Sequence, residues 1–399
     1  MDPYLNDWLN LALRWLHVIA GIAWIGASFY FVHLDLSLRP PKRREDAERG
    51  VAGEYWSVHG GGFYHVEKFG VAPTALPHPL HWFKWEAYTT WLSGFALFVV
   101  LYYVNAETYL IDRSVADVRP TVAVAASVGL LALAWVVYDV LCRLLGRNEL
   151  LLAAAIVLST VAAAYGSSRL FTDRAVYIQV GAMLGTMMAG NVLFNIIPAH
   201  RELVAAKKAG REPDPVPGVQ AKQRSVHNNY LTLPVVFTMI STHFPFTYGH
   251  EHGWVVLLAL MAIGAWVRHF FNLRHAGRTV WAIPATAAAA AAAVALWIEP
   301  DGGGAEARAV DDAPVAFADV QRIVERRCAA CHSADPTLVA APPQGITFDT
   351  TDEIATQADA IEAQAVRTNA MPPGNATGMT EEERETLAAW FRQGADLRK

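Results

Sequence analysis

Cys328-Ala329-Ala330-Cys331-His332 is the stretch that decides the nature of the C-terminal part of the chain. Two thiols one helical turn apart, followed at once by an imidazole, offer a haem two thioether attachment points and a fifth ligand for its iron. A helical pattern through Val320, Ile323, Val324 and Arg327 leads into the motif. A zinc site would need further Cys or His ligands downstream, and none follows His332. A thioredoxin-like pair would need a βαβ setting, which the pattern lacks. Covalent haem c is therefore the expected cofactor, bound through Cys328, Cys331 and His332.

The sixth iron ligand must then be a methionine, Met371 or Met379, because the tail has no second histidine. Met371 is the expected ligand. It opens Met371-Pro372-Pro373-Gly374, whose prolines hold an extended loop with little conformational freedom. Met379 precedes a capping box, Thr380-x-x-Glu383, that starts a helix carrying Leu387, Trp390 and Phe391 on one face. That helix is expected to pack on the one at Phe317–Cys328.

Moving towards the N-terminus, Glu299–Pro314 is rich in Gly and charge and reads as a flexible linker. The expected division is a membrane domain at 1–298, a linker at 299–315 and a small class I-like cytochrome c domain at 316–399. The whole chain is 53% hydrophobic and 17% charged, the composition of a membrane protein. From Glu299 onward there are 9 Lys and Arg against 18 Asp and Glu; the preceding body is net positive by 4. This balance argues against nucleic-acid binding. The acidic tail is either a docking surface or simply solvated. Cys142, alone at the end of an apolar run, reads as packing.

Eight segments are apolar and long enough to be read as membrane spans: 8–38, 85–105, 121–146, 149–171, 174–200, 226–248, 251–273 and 278–298. The first lacks the short apolar core and cleavage site of a signal peptide and reads as the first span. The break between the third and fourth falls at Arg143–Glu149. Loops after the odd-numbered segments carry 18 Lys and Arg, the others about 4. By the positive-inside rule both termini then face away from the cytoplasm, where c-type haem is attached. The expected fold is all-α: a polytopic membrane bundle of about eight spans, followed by a cytochrome on the side away from the cytoplasm.

Thirteen of the fourteen histidines precede residue 299, and ionisable residues at membrane depth are functional candidates by default. His17 lies towards the middle of the first segment and His243 near the outer side of the sixth. Trp56–Lys68 gathers His59, three consecutive glycines, His65 and Lys68, a pattern suited either to close approach to a ligand or to a turn. His227-Asn228-Asn229-Tyr230 forms a second cluster. Asn191 and Asn195 read as helix–helix contacts, and Gly181 and Gly185 as points of close packing.

His17 with Ala20-Gly21-Ile22-Ala23-Trp24-Ile25-Gly26, the His59–Lys68 stretch, His227–Leu231 and the terminal motif together resemble the membrane-bound, cytochrome c-linked urate oxidases of bacterial purine degradation. The resemblance covers essentially the whole chain. It implies oxidation of urate to 5-hydroxyisourate, with electrons leaving through the fused haem towards a respiratory acceptor or soluble cytochrome. A planar anion such as urate calls for amide or imidazole hydrogen bonds, a cation and an aromatic face. His59, His65, Lys68, His227, Asn228 and Asn229 are the expected catalytic and binding groups, with a histidine as general base. Because these clusters are expected on the cytoplasmic side, a membrane core of about 30 Å separates them from haem c. A b-type haem held by His17 and His243 would bridge that gap; hydrogen-bonded structural histidines are the other reading. A different substrate, such as a quinol or a porphyrinogen, and a membrane-anchored electron carrier are the alternative functions.

Overall fold

A computed structural model describes residues 3–70, 72, 73, 75–299, 314–339 and 341–397. Most of the expected linker, 300–313, lies outside the described residues.

The chain opens with helix α1, Pro3–Ser37. At 1.5 Å per residue its 35 residues run about 52 Å, well beyond a 30 Å hydrocarbon core. The excess carries His33 and Ser37 out to an antiparallel hairpin of β1, Val51–His59, and β2, Gly62–Phe69. This hairpin is the main departure from an all-helical chain. Its two-residue turn, Gly60-Gly61, has positive φ at both positions (57° and 80°), which suits glycine and matches the twist of the strands. The consecutive glycines thus serve a tight turn.

Helix α2, Trp85–Phe98, continues through a π-helical turn at Val99–Tyr103. Next come α3, Pro120–Leu145, and α4, Glu149–Ser168. They are separated where expected, and the Asn148 side chain caps α4 by accepting from the Leu151 N–H at 3.0 Å. Helix α5, Asp173–Gly190, passes through a second π-helical turn at Asn191–Ile196 into the helix Ile197–Lys208. The bundle closes with α6, Pro215–Ile240, α7, Gly253–His275, and α8, Ala282–Trp297. All eight expected segments are helical. Five are long and apolar enough to cross a membrane: α1 from Trp8, α3, α4, the α5 rod through Lys208, and α7. Helix α6 begins with polar residues, and α8 is short.

The α5 rod forms the centre. Val176, Tyr177, Val180, Met183, Leu184 and Met187 are all buried. Within lipid such packing rests on van der Waals contact rather than on release of water, so close approach matters. Gly181 supplies it: a Cβ there would lie 2.0 Å from Thr238 Oγ1 on α6, whereas Gly185 has nothing within 4 Å. Large apolar side chains such as Leu133, Leu150 and Leu158 on α3 and α4 face outward, as lipid contact requires.

In the C-terminal domain, α9, Phe317–Arg327, packs on α11, Glu381–Arg392, with α10, Thr351–Thr356, between them in sequence. Val320, Val324, Leu387 and Trp390 form its core, and the Phe317 and Trp390 rings stand 6.0 Å apart. The Thr380–Glu383 capping box is formed. This domain is seated on the bundle by backbone contacts. A Cβ on Gly374 would lie 2.8 Å from the carbonyls of Thr108 and Ile111, and one on Gly249 would lie 1.8 Å from the Thr368 carbonyl. Ala370 packs against the bundle core.

Candidate functional site

In the C-terminal domain the end of α9 places Cys328, Cys331 and His332 in one turn: the N–H groups of Cys331 and His332 both donate to the Cys328 carbonyl. Cys328 is partly buried against the apolar core of this domain. His332 donates from Nδ1 to the Ile346 carbonyl at 3.0 Å. That bond fixes the tautomer and leaves the Nε2 lone pair for a metal. This donor set fits a covalently attached haem, which supplies one-electron chemistry when bound. Met371 is partly buried at the edge of the core, its backbone held by Gln364 and by Arg384, which donates to the Met371 carbonyl at 3.0 Å. Met379 instead lies inside the apolar core.

At the far end of the bundle a cleft of about 640 Å³ opens between the end of α1, the hairpin and the end of α7. The Tyr55 hydroxyl lies 2.9 Å from His33 Nε2, and Ser37 Oγ lies 3.3 Å from His33 Nδ1. Ser37 donates in turn to the His275 carbonyl at 3.4 Å. One set of roles satisfies all three contacts: Ser37 accepts from His33 Nδ1–H, so His33 Nε2 must accept the Tyr55 proton. The His275 ring packs on His33, centroids 4.5 Å apart. Arg39, Lys42 and Arg274 bring positive charge, and Trp56 brings an aromatic wall. Glu54 is buried, and its carboxylate is held by His65 Nε2 at 3.0 Å and the Lys42 N–H at 3.3 Å. A planar anion could be gripped here, with a tyrosine–histidine pair beside it to pass a proton.

The sequence-predicted residues separate into distinct surroundings. His65 reaches the cleft wall, stacked on Trp56 at 4.2 Å. His59 is exposed at the hairpin tip. Lys68 pairs with Asp35, which also binds Lys222 at 2.8 Å, clamping the hairpin to α1 and α6. His227, Asn228 and Asn229 are consecutive on α6, so successive side chains point about 100° apart, and Asn229 parts from the other two. His227 Nδ1 lies 2.8 Å from the Tyr138 hydroxyl, and Asn228 accepts from Asn191 at 2.8 Å. Both belong to an interior network completed by the buried Arg224–Asp139 pair at 2.8 Å. Cys142 is buried beside it. Asn229 faces α7 instead, accepting from Arg268 Nε at 2.9 Å. His17 Nδ1 lies 3.0 Å from the Thr90 carbonyl and 3.2 Å from Ser93 Oγ, while His243 is exposed at the end of α6. The hydrogen bonds of His17 thus run to α2 and not to His243.

The sequence pattern singled out none of Tyr55, Arg39, Glu54, His33 and His275. A usable signal was the i, i+4 pair His33 and Ser37 at the polar end of an apolar helix. The family model described as urate oxidase N-terminal matches residues 3–299, and the model described as cytochrome c matches residues 317–395. No curated protein and no solved structure matches.

Proposed function

The chain belongs to the urate oxidase N-terminal family and carries a cytochrome c domain, and from that premise we propose that it is a membrane urate:cytochrome oxidoreductase. Urate and water would give 5-hydroxyisourate, two protons and two electrons, and a haem c held by Cys328, Cys331 and His332 would supply the one-electron acceptor chemistry. The observation that carries the reading is the fusion itself, a urate-oxidase family bundle joined to an electron acceptor in one chain.

The cleft at the hairpin end is the proposed substrate site. Arg39, Lys42 and Arg274 bind the anion and Trp56 covers one face. Tyr55 hydrogen-bonds the substrate and passes a proton to His33 Nε2, with Ser37 and the His275 carbonyl holding the imidazole in place. In the cytochrome, His332 and Met371 are the proposed axial ligands; Met371→Ala is expected to lower the haem potential sharply, and an unchanged potential removes the assignment.

The bundle lies in a bacterial inner membrane, with the N-terminus and cytochrome on the periplasmic side and a respiratory acceptor or soluble cytochrome beyond. The cytochrome sits near the start of α7 and the cleft at its end, so the 23 residues of that helix separate them by about 34 Å. One haem does not span that distance efficiently. The Thr90 carbonyl restrains His17 as Ile346 restrains His332, which would leave its Nε2 able to hold a haem iron. A b-type haem held by His17, with His243 as second ligand, is therefore part of the reading, and a pyridine haemochrome spectrum showing haem c alone removes it.

The decisive experiment is anaerobic reduction of haem c by urate, followed at its visible bands in the purified full chain. Reduction by a quinol or porphyrinogen and not by urate replaces the substrate. Reduction by none of them leaves a membrane-anchored electron carrier.

A further inference from the structure

Eight buried polar side-chain atoms lack a hydrogen-bond partner among the described residues, and four of them fall on one seam: Asn229 Nδ2, Arg268 Nη2, Asn272 Oδ1 and His275 Nδ1. Arg268, Asn272 and His275 are spaced i, i+4, i+7 and so share a face of α7. Asn229 meets that face from α6 through its bond with Arg268. Helix α1 runs alongside in parallel: Phe29 lies under the Arg268 guanidinium at 4.0 Å, and His33 packs on His275 two turns nearer the hairpin. Arg268, Asn229 and Asn272 are each more than nine-tenths buried. His275 belongs to both regions, since it also lines the cleft.

Unpaired polar groups in an apolar interior are costly, and four together are seldom kept unless something completes them. Their chemistry specifies what that is. The Asn229 oxygen is already used by Arg268, so its amide presents N–H donors. Arg268 adds a charged donor, and Asn272 presents an acceptor. The complement is a carbonyl bearing negative charge beside an N–H, the edge of a cyclic imide or ureide anion. We propose that Asn229, Arg268 and Asn272 form a buried subsite, reached past His275, that takes the C=O/N–H edge of a planar anionic heterocycle. The Phe29 ring backs the guanidinium so that its free edge serves the ligand. This inference rests on the urate reading and names the residues that recognise one edge of that substrate; in the outer cleft Arg39, Lys42 and Arg274 hold the rest of the anion, and Tyr55 and His33 handle the proton.

The test uses the full holo-protein, with urate as probe and anaerobic haem c reduction as the rate. Asn272→Leu removes an orphaned acceptor without leaving a charge, so it should not lower thermal stability. It is expected to raise KM for urate at least tenfold with kcat changed less than threefold. Arg268→Lys keeps the charge, loses the fork, and is expected to act in the same direction. Singly N-methylated urates sharpen the assignment: at least one should be rejected by the wild-type protein and lose that disadvantage in Asn272→Leu. KM within twofold of wild type in both variants overturns the subsite and leaves the urate reading standing; the four atoms are then satisfied by water alone. Absence of any urate-dependent reduction in the wild-type protein overturns the urate reading, and this inference with it.

Discussion

The cytochrome and the membrane bundle place their chemistry in opposite ways. In the cytochrome, the two expected attachment thiols and the first expected iron ligand sit within Cys328–His332, and one local helix turn brings them together. In the bundle, the hydrogen-bonded line from Tyr55 through His33 and Ser37 to His275 joins residues up to 238 positions apart. The reason is physical. A covalent haem needs a fixed local spacing, whereas a site between helices is built from whichever faces the packing turns towards each other. The same device, a ring Nδ1 held by a backbone carbonyl, recurs in both regions at His332 and His17. Only in the cytochrome do neighbouring residues in sequence supply most of the site, with Met371 the proposed ligand brought from another loop of that domain.

The comparison can be broken most severely at the local end. Replacing Cys328 and Cys331 together by Ala should abolish covalent haem, read as loss of haem staining on a denaturing gel, and with it all urate-dependent electron transfer. The helical content of the bundle should not change, since none of its packing depends on that motif.

At the assembled end, Tyr55→Phe removes the proton donated to His33 while keeping the ring. General acid–base help is typically worth 10²–10⁴-fold, so kcat for urate-driven haem reduction should fall about 100-fold with a smaller change in KM. An unchanged kcat would remove Tyr55 from the proton path. Breaking the buried Arg224–Asp139 pair with Asp139→Ala leaves an uncompensated guanidinium beside Tyr138 and His227. It should cost about 3–5 kcal/mol, read as a fall in the thermal midpoint of the detergent-purified protein.

Between the two regions, Gly374→Val should unseat the cytochrome, because even a Cβ would press on the carbonyls of Thr108 and Ile111. Reduction of haem c by substrate should slow several-fold with its spectrum unchanged. The smallest effect is expected within the cytochrome. Glu383 is partly screened from solvent, which alone would raise its carboxyl, but Arg327 at 2.8 Å and the Thr380 N–H hold it lower on balance. A depressed folded value means that this stabilisation is full above the unfolded value of about 4.3 and is lost as pH falls through the folded one. Glu383→Gln should therefore flatten the acid limb of cytochrome unfolding and leave neutral behaviour little changed.

The haem motif, the capping box at Thr380, the eight helical segments and the break at Asn148 were all legible in the sequence. Each rests on local spacing, on the pattern of apolar residues, or on a cap that acts within one turn. The hairpin was half legible: the glycines announced a turn, and positive φ at Gly60 and Gly61 decided which kind. The candidate substrate site was hardly legible. His227, Asn228 and Asn229 look like one cluster in sequence, yet the helix turns Asn229 away to meet Arg268, while His227 and Asn228 join one network through Tyr138 and Asn191. Lys68 looked like a substrate cation, and the fold uses it to tie the hairpin to Asp35. Arg268, Asn272 and His275 carried a readable polar stripe on an apolar helix, but only the neighbours on α1 and α6 show which of their atoms remain without partners. The sequence by itself determined that this is a helical membrane chain ending in a haem-binding domain, because those properties follow from composition and spacing within a few turns. The tertiary structure decided which of its many histidines, amides and arginines meet, because that depends on the rotation and pairing of whole helices, which no local pattern specifies.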